Sequence, residues 1–446
     1  MTHMEGWSVE RVNGLAPDSA SAKAGQGLAS ARKWVSSGIE GNALWGECQG
    51  SGSKPYQVRV DIAEPAFKCS CPSRKFPCKH AIGLLLLSIA GGVKAAAKPQ
   101  WVEEWLTERG ARAQKKAEKA AAPPKPVDEK EQQKRRDARI ARIEGGLGGL
   151  SLWLNDLIRA GIAAAPSKGY DFFDDQARRL IDAQAPGVAR RVQQLAGIAS
   201  SGAGWQRAFL QRLAELHLLV RGFANRAGLP QETQDLVMNV IGVPRPQEEV
   251  LALPPLADRW QILGQEITLE DGLRAQHTWL LGQNTGERVR VLAFAFGTAP
   301  LDVSLVPGFA FDGAVCRYPG DPRRGLVKTR GDLAPIKTVA PSITLDGLLD
   351  AYATERAANP WTDGLAAAIK DVVPARKPDG WTLTDPAGRT MPLAADDDGG
   401  WTLLALSGGR PVDLIVHYDG ARLRPLAGLL GGEYVRLGRR EEGAAA

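Results

Sequence analysis

The feature that most constrains this chain is a cluster of three cysteines and one histidine. Cys69, Cys71, Cys78 and His80 follow the pattern Cys-x-Cys-x₆-Cys-x-His. Zinc prefers four nitrogen or sulfur ligands in a tetrahedron, and Cys₃His is one of its usual structural sets. Because four protein ligands leave no open position for water, we predict one structural zinc ion and not a catalytic one.

The residues on either side of the cluster predict a small ββα unit. Residues 56–62 have the character of a strand and are expected to pair with residues 43–48 across a Gly-Ser turn. Side chains two apart on a strand share a face, so Cys69 and Cys71 can offer both sulfurs to one ion. An apolar helix is predicted to begin near His80. Such a small unit buries little apolar surface, so the metal is expected to supply much of its folding free energy, on the order of 10 kcal/mol.

This pattern resembles the SWIM zinc finger. The ligand order agrees with that module in full, and both the preceding strand and the following Ala-Ile-Gly-Leu-Leu-Leu helix fit it. The resemblance covers roughly residues 55–90, and the position of the finger near the N-terminus is similar to bacterial SWIM zinc finger family proteins. It implies a DNA- or protein-binding module, of a kind that in bacteria often accompanies MoxR-type ATPases and von Willebrand A proteins.

At 446 residues the chain is too long for a single ordinary core. We predict an α+β multidomain protein in four parts. Residues 1–107 are expected to form the SWIM-type zinc finger domain, and residues 108–138 a basic linker rich in Ala, Lys and Pro, with no apolar stripe to bury. In residues 139–243, apolar side chains recur at spacings of three and four, which indicates a helical bundle. Residues 248–446 contain strand-length apolar runs and predict a β-rich C-terminal region of one or more domains.

Two finer expectations concern the β-rich region. A helix is predicted from about residue 345 to residue 372, interrupting the strands. Beyond it, residues 380–383 and 400–403 share the sequence Gly-Trp-Thr-Leu, and each copy precedes a Gly-Arg turn. Two similar hairpins in one small sheet or barrel would explain this short repeat.

Positive charge is concentrated near the start of the chain. The formal net charge is +6, and residues 1–142 hold 24 Lys and Arg against 15 Asp and Glu, whereas the remainder is slightly acidic. Within the finger, Lys68, Arg74, Lys75 and Lys79 surround the ligands, and we interpret them as contacts to nucleic-acid phosphates. The chain is then a non-enzymatic nucleic-acid-binding protein. The alternative is a protein–protein adaptor that binds a MoxR-type ATPase or a von Willebrand A protein. In such an adaptor, the basic residues would only compensate the negative charge of the zinc cluster.

Enzyme signatures are missing from the sequence, which contains no Gly-x₄-Gly-Lys-[Ser/Thr], His-Glu-x-x-His or Gly-x-Ser-x-Gly motif. We therefore predict no catalytic residues, no organic cofactor and no small-molecule substrate; the third alternative is an enzyme within residues 248–446. His217 lies among apolar residues of a predicted helix, and we interpret it as a satisfied core histidine. His277 and His417 lie in strand-like segments without an acidic or cysteine partner in sequence reach, and we interpret them in the same way.

The sequence also predicts where the protein resides. The N-terminal residues lack the apolar segment of a signal peptide, and the longest apolar run, residues 81–93, is about 13 residues against the roughly 20 that cross a bilayer. Five cysteines in so long a chain, three of them in the cluster, do not form a disulfide framework. A cytoplasmic protein without a membrane partner is expected.

Overall fold

The computed structural model describes residues 4, 7–17, 19–50, 54–63, 65–73, 75–121, 129–202, 204–270, 273–296, 299, 301–395 and 397–437. Among these residues, no helix combines the length and the apolar character needed to cross a bilayer. The fold contains an N-terminal unit, a helical bundle and two sheets in the C-terminal half, in agreement with the predicted α+β class.

The N-terminal unit is built on a four-stranded antiparallel sheet. Residues 43–48 pair with residues 56–61 as predicted, and Cys48 lies opposite Tyr56. The strands follow one another in sequence order, so the sheet extends the predicted pair by one strand on each side. The elements are α1 (Val9–Leu15), α2 (Ser19–Gln26), β1 (Trp34–Glu40), β2 (Ala43–Cys48), β3 (Tyr56–Asp61), β4 (Ala66–Cys69), α3 (Lys79–Ile89) and α4 (Gln100–Ala121).

Helix α3 is buried on almost every side, which an apolar helix of this kind requires. It packs against one face of the sheet and against α2, where glycines let the two helices approach closely. A Cβ atom on Gly25 would lie 2.4 Å from Ile82, and one on Gly83 would lie 2.6 Å from the Cβ of Leu28. The other face of the sheet carries Trp45, which packs against α4.

The predicted helical bundle follows. Its core contains Phe173, Phe209 and Phe223, each no more than 2% exposed. Pro123, Pro124 and Pro126, in the middle of the predicted linker, lie outside the described residues. The helices are α5 (Glu129–Arg159), α6 (Gly169–Asp182), α7 (Pro186–Ala199), α8 (Trp205–Ala224) and α9 (Gln231–Ile241), and the short α10 (Gln247–Leu251) leads to the strands.

The next five strands close into a barrel, which we call the first barrel. Its first strand pairs with the second and the fourth, and its fifth strand pairs in parallel with the third and antiparallel with the fourth. The strands are β5 (Leu256–Glu270), β6 (Leu273–Gly282), β7 (Arg288–Phe296), β8 (Phe309–Tyr318) and β9 (Asp321–Arg330), and β10 (Ala334–Pro335) extends the edge at β8.

The C-terminal strands repeat this topology in what we call the second barrel. The pairing pattern is the same, including the parallel contact between the third and fifth strands. The elements are α11 (Leu345–Ala358), β11 (Leu365–Lys377), β12 (Gly380–Thr384), β13 (Thr390–Leu393), α12 (Asp397–Ser407), β14 (Val412–Tyr418), β15 (Leu423–Leu430) and β16 (Glu433–Arg436).

Two of the finer sequence predictions are wrong. The helix predicted for residues 345–372 ends at Ala358, and residues 365–372 belong to β11. The helix-favouring alanines of that strand are buried against β14, so pairing and burial override local propensity. The Gly-Trp-Thr-Leu copies are not two hairpins, because Trp381 lies in β12 and Trp401 in α12, where their rings meet edge to face at 5.1 Å.

The N-terminal unit and the first barrel share one hydrophobic core. Val12 and Leu15 of α1 belong to the same buried cluster as Trp260, Ile262 and Phe309 of the barrel. The N-terminal unit therefore packs against the first barrel through α1.

Candidate metal centre

The end of one strand and the start of one helix position the four predicted ligands. Cys69 closes β4 and Cys71 follows it, whereas Cys78 is the N-cap of α3 and His80 lies in its first turn. The loop between them returns the chain to the same point. Consequently, residues from two elements of different geometry converge at one corner of the sheet.

The converging atoms form a compact group. The Sγ atoms of the three cysteines and a ring nitrogen of His80 all lie within 4.8 Å of one another. His80 Nδ1 is 3.8 Å from Cys69 Sγ and 3.9 Å from Cys78 Sγ. A tetrahedral ion with Zn–S and Zn–N bonds of about 2.3 and 2.0–2.1 Å needs a sulfur–nitrogen separation of about 3.6 Å. The Cys₃His cluster is therefore positioned to bind one zinc ion through Nδ1 of the histidine.

The three thiols strongly influence one another. Hydrogen bonding with Cys71 and Cys78, together with burial, raises the pKa of Cys69. Hydrogen bonding with Cys69 and Cys78 lowers the pKa of Cys71 despite its burial. Three thiolates this close repel one another strongly. A divalent cation, when bound, balances their charge, which is the electrostatic reason for this set of ligands.

Neighbouring side chains support the cluster. The ring of Tyr56 packs against that of His80 with centroids 5.0 Å apart, and Phe67 meets Phe76 at 5.9 Å. Cys48, a potential spare ligand, is a fully buried thiol on β2 and is not a member of the group. Aromatic packing thus fixes the histidine ring, while the four residues of the motif alone supply the donors.

The basic residues that we predicted around the ligands do not share one face. Lys68 is exposed on β4 and points away from the face that carries Cys69, because neighbours on a strand alternate. Lys79 is exposed at the start of α3, and Lys75 is half-buried. Arg74 lies outside the described residues.

A second concentration of polar side chains, far from the finger in sequence, is visible only in the folded chain. A cavity of about 500 Å³ lies between the first barrel, the helices α7 and α9, residues 359–366 and the second barrel. We call it the arginine cavity. Its lining within the described residues includes seven arginines, Arg190, Arg191, Arg288, Arg290, Arg323, Arg324 and Arg424, and three carboxylates, Glu266, Asp321 and Asp363.

Two of the histidines interpreted as structural also line this cavity. His277 and His417 both pack against Trp279, with ring centroids 6.3 and 5.2 Å from that of the indole. Burial, reinforced by the charge of Arg290, lowers the pKa of each histidine to about 4. The Nδ1 atom of His417 is buried without a hydrogen-bond partner among the described residues, so this histidine is not satisfied as predicted.

The third histidine prediction is wrong in a different way. His217 is exposed on α8, since the apolar stripe of that helix passes beside it. The sequence could not indicate the arginine cavity, because its residues come from distant parts of the chain: α7, α9, both barrels and residues 359–366. A local hint of the cavity is present in β7. Arg288 and Arg290 lie two apart and so share one face of a strand whose other residues are all apolar.

Comparison with known protein families agrees with the metal centre. Residues 58–88 match the SWIM zinc finger, and residues 138–241 match the SWIM-associated four-helix bundle domain. No curated protein and no solved structure matches the chain. The match to the finger includes all four ligands, so the resemblance predicted from the sequence is confirmed. The chain therefore contains a SWIM zinc finger, with a Cys₃His cluster placed to hold one zinc ion, followed by a SWIM-associated helical domain.

Proposed function

We propose that the SWIM finger is a nucleic-acid-binding module and that the zinc ion supports its fold rather than a reaction. The observation that carries the proposal is the exposure of Lys68 and Lys79 on either side of the metal cluster. Exposed ammonium groups can approach phosphates without losing an internal ion pair, and phosphate contacts dominate affinity for nucleic acids. The excess of basic residues in the first third of the chain supports the same partner.

A further lysine lies near Lys79. Burial raises the pKa of the Cys48 thiol, while the charges of Lys79 and Lys33 lower it, which indicates that both ammonium groups lie close to the end of β2. Lys33 is exposed. Arg59, by contrast, is half-buried with its guanidinium 4.7 Å from the ring centre of Trp101. The contact surface would therefore comprise Lys33 and Lys79 at one edge and Lys68 on the sheet, with Arg59 serving the packing of α4.

The chemistry of the zinc site supports a non-enzymatic role. Three thiolates and one imidazole complete a tetrahedral shell, which leaves no coordination position at which a water molecule could be activated. The exposed lysines around this closed site would contact the nucleic acid. The metal would hold in place the strand and the helix that carry them.

The test is the salt dependence of binding to a short duplex DNA, measured by fluorescence anisotropy with the full chain. The logarithm of the association constant should fall linearly with the logarithm of the salt concentration, and Lys68→Glu with Lys79→Glu should weaken binding and flatten the slope. Lys370→Glu, an exposed residue of the second barrel, is the matched control and should leave both unchanged. Affinity that stays level as salt rises, or equal affinity in the double variant, would refute the proposal.

A second candidate function is a protein–protein adaptor, which a different observation favours. The helical domain exposes large apolar side chains, including Leu152 at 68%, Tyr170 at 62% and Ile158 at 50%. Where such side chains form one contiguous patch, they mark a site that docks another protein. The resemblance to bacterial SWIM proteins suggests a MoxR-type ATPase or a von Willebrand A protein as the partner. A pull-down with such purified partners at physiological salt would test it, since Leu152→Glu should abolish capture and Lys68→Glu should not.

A further inference from the structure

We infer that the outer face of β6 and β7, together with the arginine cavity, binds single-stranded nucleic acid. The inference stands independently of the proposed role of the finger, because none of its residues belongs to the N-terminal unit. The strands of the first barrel are arranged in the order first, second, third, fifth, fourth, and the third and fifth strands pair in parallel. This is the arrangement of the OB type of Greek-key barrel. Barrels of that type often bind oligonucleotides on their second and third strands. Since a fold alone does not determine function, the argument rests on the side chains at this face.

The register of the two strands shows which side chains face outwards. Leu280 and Val289, opposite each other, point into the shared core, so the alternate positions form the outer face. On that face Trp279 lies opposite Arg290, His277 opposite Leu292, and Ala275 opposite Phe294. Aromatic and cationic side chains therefore share one surface of the barrel.

Two phenylalanines continue this surface, Phe294 in the cavity lining and Phe296 beyond it. Phe294 is 54% exposed and Phe296 is 72% exposed, and they lie two residues apart on β7. Residues two apart on a strand point the same way at a separation of about 7 Å. Ala275, the partner of Phe294 across the strands, is small and leaves the ring accessible. The pair forms a platform on which successive unpaired bases can stack, an interaction that tolerates any base.

The cavity at the end of this platform is cationic. Asp363 forms ion pairs with two of the arginines, its carboxylate oxygens lying 3.7 Å from Arg191 and 4.0 Å from Arg290. Glu266 pairs with Arg424. Arg323 pairs with Glu355 and Glu287 from outside the lining. Within the lining itself, seven guanidinium groups face three carboxylates, so the lining carries an excess of positive charge.

Two polar atoms in this lining lack a partner. Nε of Arg288 is buried without a hydrogen bond, and no ion pair to Arg288 occurs within the part of the chain that the structure describes. Nδ1 of His417, a residue 92% buried, is likewise unpaired among the described residues and belongs to the same lining. Buried donors that lack acceptors are costly, and a phosphate offers several acceptor oxygens to a guanidinium at once.

The shape of the surface favours a single-stranded polymer over a duplex or a free nucleotide. A cavity of about 500 Å³ can admit one nucleotide but not a double helix. Stacking on Phe294 and Phe296 requires base faces that a duplex keeps covered. Phe296 lies outside the cavity lining, so a ligand that contacts both the cavity and Phe296 must extend along β7.

The test is fluorescence anisotropy of the full chain with labelled thymidine and uridine oligonucleotides of about 12 nucleotides, a length within the range of such barrels. Both should bind; their ratio reports whether DNA or RNA is preferred. Phe294→Ala and Phe296→Ala should each weaken binding about tenfold, and Arg288→Gln should weaken binding and reduce its salt dependence. Tyr170→Ala, which removes a 62% exposed aromatic ring from α6, is the matched control and should bind as the wild type does. Circular dichroism should show that all four variants, including that of the half-buried Arg288, fold as the wild type does.

The inference is overturned if the wild-type chain binds neither oligonucleotide, or if the two phenylalanine variants bind as tightly as the wild type. Thymidine monophosphate that binds as tightly as the oligonucleotide would also overturn it, because the platform would then contribute nothing. Lys68→Glu with Lys79→Glu should leave oligonucleotide binding intact while weakening duplex binding. Failure of the finger proposal can thus be distinguished from failure of this one.

Discussion

Cys69 Sγ and His80 Nδ1 lie 3.8 Å apart, although the two residues are eleven positions apart in the sequence. One atom belongs to the end of β4 and the other to the first turn of α3. A zinc ion bound by both atoms would fasten the strand to the helix at this corner of the sheet. The stability of the N-terminal unit should therefore depend on the metal.

Cys69→Ser or His80→Ala should reduce the zinc content towards zero and unfold the N-terminal unit. Related small zinc sites contribute about 10 kcal/mol to folding, more than a unit of this size can replace. The helical bundle should keep its structure, because its core is separate from the cluster that surrounds α3. Metal analysis combined with limited proteolysis measures both effects. Cys48→Ser, at a buried thiol outside the metal-binding group, should retain one zinc ion.

The close approach of α2 and α3 gives a second prediction. Gly25→Ala and Gly83→Ala should each lower the free energy of unfolding by about 1–3 kcal/mol, because the new methyl group overlaps Ile82 or Leu28. Gly110→Ala is the control, at a position on α4 where a Cβ meets nothing within 4 Å. Helix propensity there favours alanine by about 1 kcal/mol. Urea denaturation that shows all three variants equally stabilised would contradict the described packing.

The finger could be predicted from the sequence because its determinants are local. Four ligands within one short segment define the metal, and alternation fixes the pairing of residues 43–48 with residues 56–61. The helix that begins beside His80 follows from its continuous apolar run. Spacing alone thus determined the ligand set, although it could not show that α1 inserts into the core of the first barrel.

The buried histidines predict a dependence of stability on pH. His277 and His417 have a pKa near 4 in the folded chain, against about 6.5 when unfolded. Between these values the unfolded chain binds protons that the folded chain does not, so the free energy of unfolding should fall as the pH falls from 6.5. The two residues together contribute at most about 2.7 kcal/mol per pH unit.

Thermal unfolding between pH 6.5 and 5 measures this slope before most carboxylates titrate. The double variant His277→Asn, His417→Asn should lose part of the slope, whereas His217→Asn, at an exposed position, should keep it. A wild-type slope unchanged in the double variant would show that neither histidine is kept neutral by burial.

Trp361 joins the helical bundle to the barrels. It is 5% exposed in the bundle core, and its Nε1 donates to the carbonyl of Glu215 at 2.8 Å. Trp361→Ala should lower the free energy of unfolding by about 3–5 kcal/mol through loss of buried surface and the cavity left behind. Trp401→Ala, at a ring 53% exposed, should cost far less. Equal losses in calorimetry would be inconsistent with this anchoring role.

The C-terminal half was predicted only in outline, for a physical reason. Strand-like patterns indicated β structure, but which strands pair is decided by contacts between distant segments. The Gly-Trp-Thr-Leu copies suggested a repeat that does not exist, since Trp381 and Trp401 occupy a strand and a helix. What is repeated is the topology, because the two barrels have the same strand order. The Gly-Trp-Thr-Leu motif does not mark this repeat. The arginine cavity, assembled from the bundle and both barrels, was beyond prediction for the same reason.

The most direct test of the metal centre is X-ray absorption at the zinc edge, with metal quantification, on the purified full chain. One zinc ion per chain, surrounded by three sulfur atoms at about 2.3 Å and one nitrogen at about 2.0–2.1 Å, is the expected result. A shell of oxygen ligands, or a chain that folds with no stoichiometric zinc, would contradict it.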